Sequence, residues 1–170
     1  MNSAELIILG MGNKLFGDDG IGIVIAQKLK NYFMGLDSVV VEESNWGGFR
    51  IIDLLTGYKN AVVIDAIQTD KNFAPGYIHK FHYTDLIQST RMISFHDINF
   101  ATAVEFAKRL DIPMPQNIII YAIEVTEINT LTEYISPKVY NSINNCINRI
   151  LADVNKLVNI EVNQNAGSDN

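Results

Sequence analysis

Four runs of this chain are apolar without alternation: ELIIL at 5–9, VVVE at 39–42, AVVI at 61–64 and NIIIYAI at 117–123. A strand with one wet face shows apolar and polar residues in turn, so unbroken runs predict strands buried on both faces. Helical periodicity fills the intervals. A helix is expected from about Asp19 to Tyr32, where Ile21, Val24, Ile25 and Leu29 recur three and four apart. Phe49–Leu55 reads as a short helix ended by Gly57, and 94–110 contains another that starts near His96 or Asp97. YIHKFHY at 77–83 alternates and follows the Pro75-Gly76 turn, so it reads as one more strand. Ser136-Pro137 offers a capping hydroxyl and a proline for the first helical position. The helix expected from there to about Leu157 carries the stripe Val139, Ile143, Cys146, Ile147, Ile150, Val154, Leu157. Buried strands alternating with helices specify an α/β domain with a largely parallel sheet covered on both faces.

No linker, repeat or low-complexity block divides the 170 residues, so one domain over 1–160 with a polar, frayed tail at 161–170 is expected. The net charge of −6 argues against a basic nucleic-acid face and against docking on an anionic membrane. Cys146 is the only cysteine, which excludes an internal disulfide and a cysteine-based zinc site. No apolar run approaches the roughly 18 residues of a membrane span, and the N-terminus lacks the pattern of a signal peptide. The expectation is a soluble cytoplasmic domain.

In an open α/β sheet, ligands gather outside the carboxyl ends of the strands. The side chains expected there are rich in carboxylate. Asp18 and Asp19 lie in LGMGNKLFGDDGIG after the first strand, with Gly10, Gly12 and Asn13. Glu42, Glu43, Ser44, Asn45 and Trp46 follow the second strand, Asp65 ends the third and Glu124 follows NIIIYAI. His96 sits in a loop before a helix. A dinucleotide loop fits poorly. Gly10 and Gly12 match its first two glycines, but the third position is Leu15, and Asp18 and Asp19 would repel a pyrophosphate. A phosphate-binding P-loop lacks its Gly-Lys-Ser/Thr. A metal reading is better supplied: two carboxylates and one imidazole, Asp19, Asp65 and His96, make a three-ligand set with open positions. Against it, each aspartate can be a helix cap or turn residue, and a loop histidine can be a solvated side chain. His79 and His82, three apart in a strand, point to opposite faces and cannot chelate together. Cys146 on an apolar stripe reads as a core thiol.

The chain resembles the [NiFe]-hydrogenase maturation proteases, endopeptidases that trim the C-terminus of the hydrogenase large subunit. The resemblance rests on GMGNKLFGDDGIG against the pattern G-x-G-N-x-L-x-x-D-[DE]-x-x-G, matched at Gly10, Gly12, Asn13, Leu15, Asp18, Asp19 and Gly22. It continues in VVIDAI with Asp65, Pro75-Gly76, SFH with His96, YAIEV, and the ISPKV helix start. These six features keep the family's order over most of the chain.

The resemblance implies a three-layer fold with a five-stranded, mostly parallel sheet and helices on both faces, of the phosphorylase/hydrolase-like kind. It implies that Asp19, Asp65 and His96 are the metal ligands and catalytic groups, the same three residues that the edge inventory brings forward. It further implies that the metal is nickel brought by the substrate, with other divalent metals able to occupy the site. The partner it implies is the large-subunit precursor, cleaved near its C-terminus by a monomeric, cytoplasmic enzyme. Gly12, Asn13, Asp18, Trp46, Gly47 and Gly48 would meet that substrate, with Asp18 placed to orient an attacking water or a group that itself touches the metal. The chain departs from the family in three places. The D-G-G-T-x-G loop reads EESNWGGF, the residue before the histidine is Phe95 rather than proline, and the first-loop ligand is aspartate rather than glutamate. The altered loop leaves a same-fold protease or a metal-sensing binding protein with another partner as the alternative.

Overall fold

In the computed structural model, residues 4–45, 49–69, 71–88, 97–126 and 128–160 are described. The four apolar runs and the alternating segment at 77–83 form strands, as expected. They are β1 (Leu6–Met11), β2 (Val39–Ser44), β3 (Asn60–Ile67), β4 (Ile78–His82) and β5 (Asn117–Glu124). They join in one sheet in the order β2-β1-β3-β5-β4. All neighbours are parallel except β4, which runs antiparallel to β5 at the edge. All of β1 and β3 is buried, as is β5 after its first residue, which is why these runs show no alternation. The VVVE run departs from the expectation: β2 is an edge strand, buried at its two ends and partly exposed between them.

The helices are α1 (Ile21–Tyr32), α2 (Arg50–Leu55), α3 (Tyr83–Gln88), α4 (Asp97–Arg109), α5 (Pro137–Tyr140) and α6 (Ile143–Val158). Ile21, Ile25 and Leu29 of α1 and the stripe of α6 pack with Leu6, Ile8, Val62 and Ile64 on one face of the sheet. Ile51, Leu55, Phe100 and Val104 pack with Ile7, Leu9, Ala61 and Val63 on the other. Each fully buried aliphatic side chain of these layers contributes about 1.5–3 kcal/mol. The α/β class, the five mostly parallel strands and the helices on both faces are thus observed.

The expected C-terminal helix is broken at Asn141–Ser142. The hydroxyl of Ser142 donates back to the Val139 carbonyl at 2.6 Å, and so does its N–H at 3.0 Å, which closes the first turn tightly before α6 begins. Helix α3 was not anticipated. The strand β3 also runs past its apolar stretch to Ile67, so Asp65 lies within it rather than at its end.

Candidate functional site

The strand order reverses at β1, because the chain leaves it for β2 on one side and later builds β3 on the other. The crevice between the carboxyl ends of β1 and β3 is therefore the place where such sheets bind ligands. The two strands stay paired up to Gly10 and Ile64, and then part. Beyond that point Met11 pairs with Ser44 of β2, and Asp65 pairs with Ala122 of β5.

Into this opening comes the start of α1. A Cβ on Gly22 would stand 2.3 Å from the carbonyl oxygens of both Ile64 and Met11, so only glycine lets the helix seat across the two strands. A 3-10 turn, Gly17–Gly20, leads into the helix and carries Asp18 and Asp19, both buried. Neither aspartate caps the turn or the helix by its side chain, so the capping alternative does not apply here. Asp19 Oδ2 accepts the Asn13 N–H at 2.8 Å. Gly12 lies directly beneath, with φ of 132° and no room for a Cβ, which would meet the Asp19 carbonyl oxygen at 1.9 Å.

Asp65 is 3 % exposed, and its Oδ1 accepts the following Ala66 N–H at 2.8 Å. Alternation along β3 puts it on the face that Ala61 and Val63 share with Phe100 and Val104 of α4. That helix ends just before β5, which starts beside the start of β3, so its first turn is directed toward the carboxyl edge. His96, Trp46, Gly47 and Gly48 lie outside the described residues. Among the described residues no three histidine, cysteine or acidic side chains group as a metal site. Of the expected set, Asp65 stands just past the point where β1 and β3 part, and Asp19 lies in the turn that packs on Gly12 after β1; each is steered by a backbone N–H, as metal-ligating carboxylates commonly are. Their hard oxygen donors suit a divalent metal.

Other acidic residues of the edge are engaged. Burial raises the Glu43 carboxyl, but hydrogen bonds from Lys30 at 2.6 Å and Gln27 at 2.9 Å outweigh it and hold the group below its usual range. Glu124, the last residue of β5, accepts the N–H and hydroxyl of Thr69 and lies 2.8 Å from His79 Nε2. His79 is enclosed by Phe73, Tyr77 and Phe81, while His82 is exposed, as their opposite faces require. Cys146 is fully buried and its thiol is pushed up to about 12 by burial, which leaves no thiolate to attack a peptide.

Asp18 is the unexpected member. Its Oδ1 accepts the Ser136 N–H at 2.6 Å and its Oδ2 the Ser136 hydroxyl at 2.8 Å. The hydroxyl expected to cap α5 is thus spent on Asp18, and α5 has no side-chain cap. No local signal could have revealed a pairing across 118 residues.

The model of the hydrogenase maturation protease family matches residues 23–153. A putative hydrogenase maturation protease of Methanocaldococcus jannaschii is 32% identical over 87 residues, which cover 51% of this chain and 55% of that protein. The coenzyme F420 hydrogenase subunit delta of Methanothermobacter thermautotrophicus is 32% identical over 88 residues, covering 49% and 54%. The chain thus spans about half the length of these two curated relatives. Among solved structures, the hydrogenase maturating endopeptidase HybD of Escherichia coli superposes with a TM-score of 0.75 at 21% identity, covering 89% of this chain and 92% of that one. The [NiFe] hydrogenase maturation protease HybD of Thermococcus kodakarensis does so with 0.67 at 22%, covering 88% and 97%. Both likenesses concern the fold.

Proposed function

The chain belongs to the hydrogenase maturation protease family, and from that premise we propose that it removes a C-terminal extension from the nickel-loaded large-subunit precursor of a [NiFe] hydrogenase. The observation that most supports this is a pair of buried carboxylates at the strand switch, Asp65 just past the point where β1 and β3 part and Asp19 in the turn packed on Gly12. His96 completes the set in this reading. The nickel arrives with the substrate, and a divalent metal there can polarise a carbonyl or acidify a bound water.

The chain's own part is to hold and orient. Asp19 is steered by the Asn13 amide and Asp65 by the Ala66 amide, so the carboxylates need little reordering when the precursor docks. The sole cysteine is buried and protonated, so the reaction proceeds without a thiolate nucleophile. Gly12 and Asn13 line the approach beside Asp19, and Trp46, Gly47 and Gly48 form the remaining substrate contacts of this reading. In this reading the enzyme is a cytoplasmic monomer. No helix among the described residues is long and apolar enough to cross a membrane.

Deletion of the gene in its host, followed by intact-mass measurement of every hydrogenase large subunit, tests the proposal. The expected result is one large subunit left longer by a C-terminal peptide, with its hydrogenase activity lost. Normal mass for every large subunit, in a host without a second such protease, would refute it.

A further inference from the structure

We propose that Asp18 is a positioning residue: by gripping Ser136 it ties the segment 130–136 to the glycine loop, and so holds its neighbour Asp19 at the edge of the crevice. Three independent features of the seam support this. First, the Asp18 carboxylate is 4 % exposed and directs one oxygen to the Ser136 N–H and the other to the Ser136 hydroxyl. A carboxylate withdrawn from water in this way is tolerated only when donors replace its hydration, and here one residue supplies both. Second, the backbones on either side of the grip are laced together. The Gly17 N–H donates to the Thr132 carbonyl at 2.6 Å, and the Thr132 N–H donates to the Leu15 carbonyl at 2.8 Å, making a parallel bridge between Phe16 and Thr132. Third, Ser136 immediately precedes α5, whose Val139 is fully buried in the core with residues of α1 and α6. The grip therefore anchors the loop to a part of the molecule that cannot drift.

The consequence reaches Asp19 through one peptide bond. The 3-10 turn is four residues long, and its two carboxylates are directed to different partners, Asp18 to Ser136 and Asp19 to Asn13. If Asp18 lets go, the turn keeps only its backbone tie at Gly17 to Thr132, and the Asp19–Asn13 hydrogen bond loses its fixed geometry. Asp18 thus acts through Asp19 rather than on the reacting water.

The inference rests on the proposed function for the identity of the reaction, but it has a readout of its own. Asn at position 18 keeps an oxygen for the Ser136 N–H, and its amide N–H can donate to the serine oxygen, since a hydroxyl both gives and accepts. Asp18→Ala keeps neither. The full chain is compared as wild type, Asp18→Ala, Asp18→Asn, Ser136→Ala and the Asp18→Ala/Ser136→Ala double variant, well below the melting temperature of each. Amide exchange at Asn13, Gly17 and Thr132 is expected to quicken about tenfold or more in Asp18→Ala and to return toward wild type in Asp18→Asn. Cleavage of nickel-loaded precursor is expected to fall about 100-fold in Asp18→Ala, as for a misplaced reacting group, and to be largely restored in Asp18→Asn. The double variant is expected to be no slower than Asp18→Ala, because both changes cut one grip. A purely structural role would lower the melting temperature and leave turnover of the folded protein unchanged, which overturns the proposal. Equal loss in Asp18→Asn and Asp18→Ala also overturns it, since the negative charge itself would then be required. Where Asp18→Ala does not fold, Ser136→Ala, which keeps the backbone bond, decides by the same two readouts. If wild type cuts no precursor, the function fails, and the Asn13 amide alone decides the grip: quickened exchange supports it and unchanged exchange overturns it.

Discussion

Gly12 shows how narrowly a single residue can constrain a site. Its φ of 132° and the 1.9 Å between a notional Cβ and the Asp19 carbonyl oxygen leave no room for a side chain. Gly12→Ala must push the Asp19 turn outward, so a loss of about 3 kcal/mol is expected in urea unfolding. Cleavage by the folded fraction is expected to drop about 100-fold in a precursor assay. Unchanged cleavage would show that the loop's position is immaterial to the reaction. At this scale the sequence was partly transparent. Asp19 and Asp65 are visible among the edge carboxylates, although a helix cap or a turn would account for either in the sequence alone. Asp18 was visible but its partner was not, since the serine it holds lies 118 residues away and looked like an ordinary helix cap.

Among the elements, the seating of α6 on the sheet has a charge at its centre. Asp153 of α6 accepts the Tyr121 hydroxyl of β5 and pairs with Lys80 of β4, both at 2.5 Å. Burial raises its pKa, but these two hydrogen bonds outweigh that and leave it below the ordinary aspartate value of 3.8. A depressed carboxylate stabilises the fold fully above its unfolded pKa and loses that contribution as pH falls through the folded one. Asp153→Asn is therefore expected to cost about 1–3 kcal/mol at neutral pH, with the difference from wild type shrinking below pH 3.8 and vanishing in stronger acid. Denaturant melts of both proteins across that range check it; a gap that stays constant with pH would show that the charge of Asp153 is not what matters. The elements themselves were largely legible, because both-face burial writes itself as unbroken apolar runs. The exceptions have causes. The break before α6 depends on Ser142 bonding back to Val139, and β3 outran its apolar stretch because Asp65, Ala66 and Ile67 remain paired with β5.

For the whole molecule, the proposed division of labour makes selectivity a matter of linkage. A precursor that brings its own metal gains ligands from this chain, and one that lacks it does not. A hundredfold preference for loaded precursor needs only about 3 kcal/mol. Asp65→Asn and His96→Ala are expected to bring the affinity for loaded precursor down to that for unloaded precursor, with the circular dichroism of the fold intact. Titration of each variant with the two precursors measures this. A preference retained in both variants would place metal recognition elsewhere on the chain.

The sequence by itself determined the class of fold, because hydrophobic periodicity is local and the periods of helix and buried strand differ. It also determined which carboxylates reach the edge of the sheet, since residues that end or follow a strand have their place set by that strand. Only the tertiary structure decided which of them are spent on distant pairings within the fold. Glu43, Glu124 and Asp18 looked much like Asp19 and Asp65 in one dimension. Lys30, Thr69 with His79, and Ser136 engage them in three. Such pairings join residues far apart in the chain, and their energies exist only once the sheet has brought the partners together.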